Sequence, residues 1–343
     1  MAPENKRFAI IGTGFWAQYQ LAAWLEIEGV ECVALYNRTL SKAEKLGKAF
    51  GIDAAYDDID QLLDRHELDF VDIITDVDTH AMFSLKCVER GLPTICQKPL
   101  APDLGAATSM AKAFKERDLP LYVHENWRWQ APFRALKKAI DKSDIGRLWR
   151  ARIQYCNSFP VFENQPFLKE LEQFILTDIG THILDTARFL FGEAKSLYCQ
   201  THQVSRDIKG EDAATVMMEM EDGLCLSVEM SYASKLEKEA FPQTYIEIEG
   251  ERGSLSLSHD YWIKLTNESG TTGFRAPPPF YPWADARYDL VHSSIVDCNR
   301  NLLGGFAGTG AVETTAEDNL RTLKLVFDSY ESAATGQVIR YDS

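Results

Sequence analysis

The stretch from Arg7 to Ala17, RFAIIGTGFWA, limits the possible folds more than any other part of the chain. Phe8, Ala9, Ile10 and Ile11 run into Gly12-Thr13-Gly14, and Phe15-Trp16-Ala17 then heads an apolar stretch of helix length. Strand, glycine turn and helix in that order form the first unit of a dinucleotide-binding fold. Gly12 permits the tight turn and Gly14 keeps no side chain in the way of a pyrophosphate. Ala17 is small enough to let the helix lie against the strand. Free N–H groups at the helix start, with the dipole behind them, favour an anion there. The N-terminal position and the buried-type strand ahead of it separate this turn from a plain strand–helix connection.

Further strand–helix pairs follow. Residues 31–36 read as a strand, 41–50 as a helix ended by Gly51, and 68–74 as a strand. Helix 79–90, the strand of Pro93 to Cys96, helix 103–117 and strand 120–124 complete a doubly wound parallel sheet of about six strands. Ligands bind such sheets outside the carboxyl ends of the strands. The candidates there are Asn37 and Arg38, the turn Thr75-Asp76-Val77 with His80, then Gln97-Lys98, and finally Asn126 and Arg128. Asn37 stands where NAD-selective folds carry an acidic residue for the ribose hydroxyls. Its amide accepts a hydroxyl hydrogen bond but brings no charge to repel a 2′-phosphate, and Arg38 suits either adenine or that phosphate. NAD and NADP both remain open on these residues. Lys98, restrained by Pro99, is the sharpest candidate: its ammonium can stabilise an alkoxide that develops as hydride leaves.

The rhythm changes near residue 125. Helix 131–141 precedes strands at 147–157, 195–205, 212–220, 223–232, 244–250, 253–258 and 260–265, a largely antiparallel sheet. The division expected is a dinucleotide-binding domain over 1–125 and an α+β domain over 126–343 with one sheet face left open. Helix 174–191 interrupts the strands. It carries Ile175, Ile179, Ile183, Ala187 and Leu190 on one stripe and Asp178, His182 and Asp185 on another. A histidine one turn from a carboxylate suits a general base, and it equally suits a packed core histidine. No His/Cys cluster supports a metal. The proline-rich segment 266–287 reads as a long loop, a lid or an arm in which Tyr281 or Trp283 reaches the pocket. Helices at 286–303 and 314–334 follow, the latter capped by Thr314 or Thr315.

A net charge of −15 argues against nucleic acid as a partner. No apolar run approaches the ~18 residues of a membrane span, and the opening MAPENKR has no signal-peptide core. Seven scattered cysteines, none in a C-x-x-C pair, suit a reducing cytoplasm. The open sheet face suits a homodimer or homotetramer.

Taken together these residues resemble the Gfo/Idh/MocA oxidoreductases. The resemblance spans the chain: Gly12-Thr13-Gly14-x-x-Ala17, Gln97-Lys98-Pro99-Leu100, Asp178-x-Gly180-x-His182-x-x-Asp185 and Tyr330-x-Ser332-Ala333-x-x-Gly336. It implies Lys98 and His182 as the catalytic pair, with Asp178 binding substrate hydroxyls and positioning His182. Asn126, Arg128 and Tyr155 are expected to complete the substrate pocket. Two departures stand out, Gln97 for a usual glutamate, which makes a cofactor ribose contact an amide, and Asn37 for an aspartate. Within the family the opening stretch 15–39, FWAQYQLAAWLEIEGVECVALYNRT, most resembles the members that oxidise D-apiose with NAD, which implies NAD as cofactor and a pentose, D-apiose first, oxidised at C1 to its lactone. Oxidation of another polyol or aldose, and a cofactor-sensing regulator without catalysis, are the alternatives.

Overall fold

The computed structural model describes residues 5–142 and 144–341; most of the opening MAPENKR lies outside them. Two compact units emerge. The first comprises residues 1–126, 280–286 and 295–321, and the second 127–279, 287–294 and 322–343.

In the first unit the order is β1 (Lys6–Ile11), α1 (Ala17–Trp24), β2 (Val30–Tyr36), α2 (Leu40–Phe50), β3 (Ala55–Tyr56) and α3 (Ile59–Arg65). β4 (Phe70–Ile73), α4 (His80–Glu89), β5 (Thr94–Gln97), α5 (Leu104–Lys115) and β6 (Leu121–His124) follow. The six strands pair in parallel in the order β3-β2-β1-β4-β5-β6. β4 and β5 are buried at every position, as central strands covered on both faces must be. Phe8 of β1 stacks on Phe70 of β4 at 4.9 Å, and Trp24 of α1 closes on both rings.

Segments from later in the chain also belong to this unit. Phe306 stacks on Phe70 at 4.6 Å, and Val123 donates its N–H to Thr314 O at 2.8 Å. Tyr281 and Trp283 pack with Ile295 and Val296 against Ala23 of α1, and Trp283 Nε1 donates to Glu26 at 2.9 Å. The expected lid residues are therefore anchored on α1.

The second unit contains α6 (Ala131–Asp141), β7 (Leu148–Cys156), the short α7 (Val161–Asn164) and α8 (Thr181–Phe191). β8 (Ala194–His202), β9 (Ala213–Met220), β10 (Cys225–Ser231), β11 (Tyr245–Gly250), β12 (Gly253–Ser258), β13 (Trp262–Asn267) and β14 (Gly270–Arg275) come next. Helices α9 (Asp289–Phe306) and α10 (Ala316–Thr335) and the short β15 (Ile339–Arg340) close the chain order. Thr315 Oγ1 accepts the Asp318 N–H at the start of α10.

The nine strands run β14-β13-β12-β11-β7-β10-β9-β8-β15, antiparallel except for the parallel pair β7/β10. Ala151, Ile153 and Tyr155 of β7 and Val216, Met218 and Met220 of β9 face inward. On the other face Arg150 pairs with Glu249, Arg152 with Glu229 and Lys195 with Glu219. Three expectations shift. β14 lies inside the segment read as loop, and its residues are exposed throughout, so no alternation betrays it. The last long helices begin later than expected. The helix expected over 174–191 opens with a π turn at Leu176–Gly180. No helix among the described residues is long and apolar enough to cross a membrane.

Candidate active site

The glycine turn of the first unit contains two glycines present for different reasons. Gly12 has φ +103°, and a Cβ there would meet Ile74 O at 2.4 Å, so the fold itself demands glycine. At Gly14 nothing lies within 4 Å of an added Cβ. Nothing in the described chain needs that space. Beside it Thr13 Oγ1 is buried without a hydrogen-bond partner. An open backbone and an unanswered hydroxyl at the head of α1 fit a dinucleotide phosphate. Phe15 is exposed and Trp16 half-buried. Asn37 braces the turn: its Oδ1 accepts from Thr13 N at 3.3 Å and its Nδ2 donates to Thr39 O at 3.1 Å. Arg38 is exposed at the end of β2.

At the end of β4, Thr79 Oγ1 donates to Thr75 Oγ1 at 2.8 Å, with Asp76 exposed and Val77 half-buried between them. His80 is buried, and its two ring nitrogens lie 3.0 Å from Pro99 O and 3.0 Å from Thr75 O. Burial pushes its pKa below the ordinary value, while the two carbonyls, which accept from a ring N–H, pull the other way. His80 thus ties the β4 turn to the β5 turn. Lys98 is half-buried, and its N–H donates to Gln97 Oε1 at 2.9 Å. Gln97 Nε2 donates to Gln20 Oε1 at 2.8 Å and lies 3.3 Å from His124 Nδ1. Both ends of the Gln97 amide are thus engaged inside the fold. Asn126, at the end of the β6 segment, is buried.

In the second unit the approach to α8 is built by a residue far away in sequence. Glu211 accepts the N–H groups of Phe174 at 3.1 Å and Leu176 at 3.2 Å through its carboxylate, and that of Ile175 at 3.2 Å through its main-chain oxygen. Tyr330 of α10 donates to the same carboxylate at 2.6 Å. Three amides that a helix start leaves open are so answered, with a negative charge at the favourable end of the dipole. The π turn follows at once and carries Asp178; such turns occur often at functional sites.

His182, on the first turn of α8, is buried and lies flat against Trp127, centroids 4.6 Å apart and planes 14° apart. Trp127 meets Tyr155 edge-on at 5.4 Å, and Tyr155 meets Tyr232 at 6.0 Å. Tyr232 donates its hydroxyl to Asp178 Oδ2 at 3.3 Å. Burial pushes the phenols of Tyr155 and Tyr232 well above the ordinary tyrosine range, so both stay protonated. Tyr155, Asp178 and His182 thus share one aromatic cluster. Trp127 follows β6 in the segment that carries Asn126 and Arg128, whereas Tyr232 and Glu211 belong to the cluster or brace it without any spacing in the sequence that singles them out.

Arg128 is placed differently from the expected substrate contact. Its Nε and Nη2 form parallel bonds of 2.8 and 2.6 Å to the carboxylate of Asp185, which also accepts from Thr322 at 3.1 Å. Both ion-pair partners are buried. This pair anchors α8 at Asp185.

The sequence matches the oxidoreductase family with an NAD-binding Rossmann fold over residues 6–125, and the GFO/IDH/MocA C-terminal domain over residues 133–256. The chain belongs to the Gfo/Idh/MocA oxidoreductases. A D-apiose dehydrogenase of Paraburkholderia graminis is 39% identical over 340 residues, covering 98% of this chain and 91% of its own. A second, of Rhizobium rhizogenes, is 37% identical and covers 96% of each chain. An oxidoreductase from Agrobacterium radiobacter, crystallised with NAD+, L-tartaric acid and magnesium, superposes with a TM-score of 0.95 at 36% identity over 98% of both chains. The first unit is therefore the family's NAD-binding domain, and the chain is an oxidoreductase.

Proposed function

We propose that this protein is an NAD-dependent sugar dehydrogenase that oxidises C1 of a pentose hemiacetal, D-apiose first, to the lactone. The observation that carries the reading is the likeness, at 37–39% identity over nearly the whole chain, to two D-apiose dehydrogenases. Lys98, Asp178 and His182 stand at the motif positions of that family.

NAD, when bound, supplies the hydride acceptor. Gly12, Thr13, Gly14, Phe15 and Trp16 form the expected phosphate turn, with Asn37 and Arg38 toward the adenosine. Thr75, Asp76, Val77 and Asn126 lie at the ends of the neighbouring strands. With no carboxylate at Asn37, NAD preference in this reading rests on the likeness to the relatives. In the reaction the sugar loses a hydride from C1 and a proton from its C1 hydroxyl. His182 takes that proton, and the Lys98 ammonium stabilises the oxygen as negative charge grows on it. Asp178, oriented by Tyr232, holds neighbouring hydroxyls, and Trp127 fixes the plane of the imidazole. A homodimer or homotetramer that covers the charged sheet face completes the reading.

The deciding experiment supplies the purified protein with NAD+ and a panel of D-apiose, other pentoses, hexoses and myo-inositol. NADH formation is followed and the product identified by NMR. D-apiose should give the highest kcat/KM, with a lactone as first product. A preference for myo-inositol, or a ketose product, would sink the assignment, and the absence of NADH with any polyol would point to a regulator.

A further inference from the structure

We propose that the buried carboxylate of Asp72 positions Lys98 through a one-way string of two side-chain amides, Gln20 and Gln97. The inference rests on the catalytic role proposed for Lys98, and it adds two positioning residues, Asp72 and Gln20, that no motif marks.

Asp72 sits in the middle of β4 and is fully buried. Gln20 Nε2 donates to its two oxygens at 2.9 and 2.8 Å, and Trp24 Nε1 donates at 2.8 Å. A carboxylate only accepts, so Gln20 has to aim its NH2 group at Asp72 and its oxygen away. That oxygen takes the Gln97 Nε2 proton at 2.8 Å. Gln97 is thereby turned so that its Oε1 faces the Lys98 N–H at 2.9 Å. The far end of the string is a backbone amide, which only donates. With a pure acceptor at one end and a pure donor at the other, both amides can run in one direction alone. His124 joins from the side, Nδ1 toward Gln97 and Nε2 at 3.0 Å from Asn299 Oδ1.

An apolar residue would fill the core position of Asp72 at lower cost, since a carboxylate without a cation in a protein interior is expensive to keep. What an apolar residue cannot do is impose direction on Gln20. Burial pushes the Asp72 carboxyl up to about 6, which still leaves it ionised at neutral pH. The charge therefore acts at the main chain of Lys98, two amides away.

A double-mutant cycle tests this. Asp72→Asn removes the pure acceptor, and Gln97→Glu sets a carboxylate against the Gln20 oxygen. Each should lower kcat by on the order of 10- to 100-fold with little change in sugar KM. In the double variant the carboxylate has moved to the other end. Gln20 can turn round, giving its NH2 to the new carboxylate at 97 and its oxygen to the new amide at 72, while the Lys98 N–H keeps an acceptor. The double variant should recover to within about threefold of the parent, and its melting temperature should recover alongside. Losses that simply multiply would overturn the proposal. Should Gln97→Glu not fold, Gln20→Met cuts the string in the middle, and parent-like kcat in that variant would overturn it equally. If the parent oxidises no sugar, the sugar reading has failed. The melting temperatures of the protein without sugar and its NAD+ affinities then decide the string: coupled changes support it, additive ones overturn it.

Discussion

Lys98 and His182 are fixed by different materials. Around Lys98 the bonds are directional and end on the main chain: Gln97 receives its N–H, and His80 reaches the carbonyls of Pro99 and Thr75. Around His182 the contacts are broad faces, Trp127 flat against the imidazole and Tyr155 edge-on to Trp127. A hydrogen-bonded frame specifies which way each group points and fails when one atom changes its sign as donor or acceptor. A stacked frame specifies a plane and tolerates polarity changes at its rim but not loss of volume. The first kind suits a turn whose backbone must be placed, the second a ring that, in the proposed reaction, gains and loses a proton without moving.

The largest effect tests whether the two frames serve one reaction. His182→Asn and Lys98→Met should each lower kcat by roughly 10²–10⁴-fold while NAD+ binding stays within a few-fold. Near-normal turnover in either, measured as NADH release, would remove that residue from the acid–base pair.

The next effect belongs to the directional frame alone. Asp72 has its pKa raised by burial from 3.8 to about 6. The folded protein then binds this proton more tightly than the unfolded chain, so the ionised group is a full penalty above about pH 6 and is relieved as pH falls toward 4. Relative to Asp72→Asn, the parent should therefore gain roughly 2–3 kcal/mol between pH 7 and pH 4. Melting curves of both proteins across that range check it, and parallel curves would refute it.

The two glycines sharpen the comparison between structure-bearing and ligand-facing atoms. Gly12→Ala should cost about 2 kcal/mol or more of stability, because it adds a clash with Ile74 O to an unfavourable φ. Gly14→Ala should melt within about 0.5 kcal/mol of the parent and yet bind NAD+ on the order of tenfold more weakly. Thermal melts and cofactor titrations separate the two, and equal stability losses would contradict the distinction. The smallest change tests the rim of the stacked frame. Tyr232→Phe removes one hydroxyl from Asp178 and should lower kcat/KM by about tenfold, some 1.5 kcal/mol, with the melting temperature nearly unchanged.

Much of the first unit was legible because its information is local. The strand–turn–helix rhythm, the glycine turn and Lys98 after a buried strand each need only neighbouring residues to be read. The partners of those groups were not. Gln20 and Asp72 look like a polar residue in a helix and a break in an apolar strand until β1, β4 and β5 lie side by side. The helix bearing Asp178 and His182 was visible from its period, yet its π turn depends on Glu211 from another segment. Trp127 and Tyr232 reach the same cluster from separate elements, so no spacing relates them. Arg128 misled because an arginine after a strand says nothing of the buried carboxylate that it meets. β14 escaped because an exposed edge hairpin has no apolar alternation.

The brace from Tyr330 to Glu211 spans 119 residues of chain. At a translation rate of roughly 5–20 residues per second, the ribosome needs on the order of ten seconds to pass from one to the other. Through that interval the helix bearing His182 has emerged without its last brace. The parallel sheet waits through most of it as well, since Phe306 and Thr314 come only shortly before Tyr330. Both halves of the nascent protein are therefore finished by the same late stretch of synthesis.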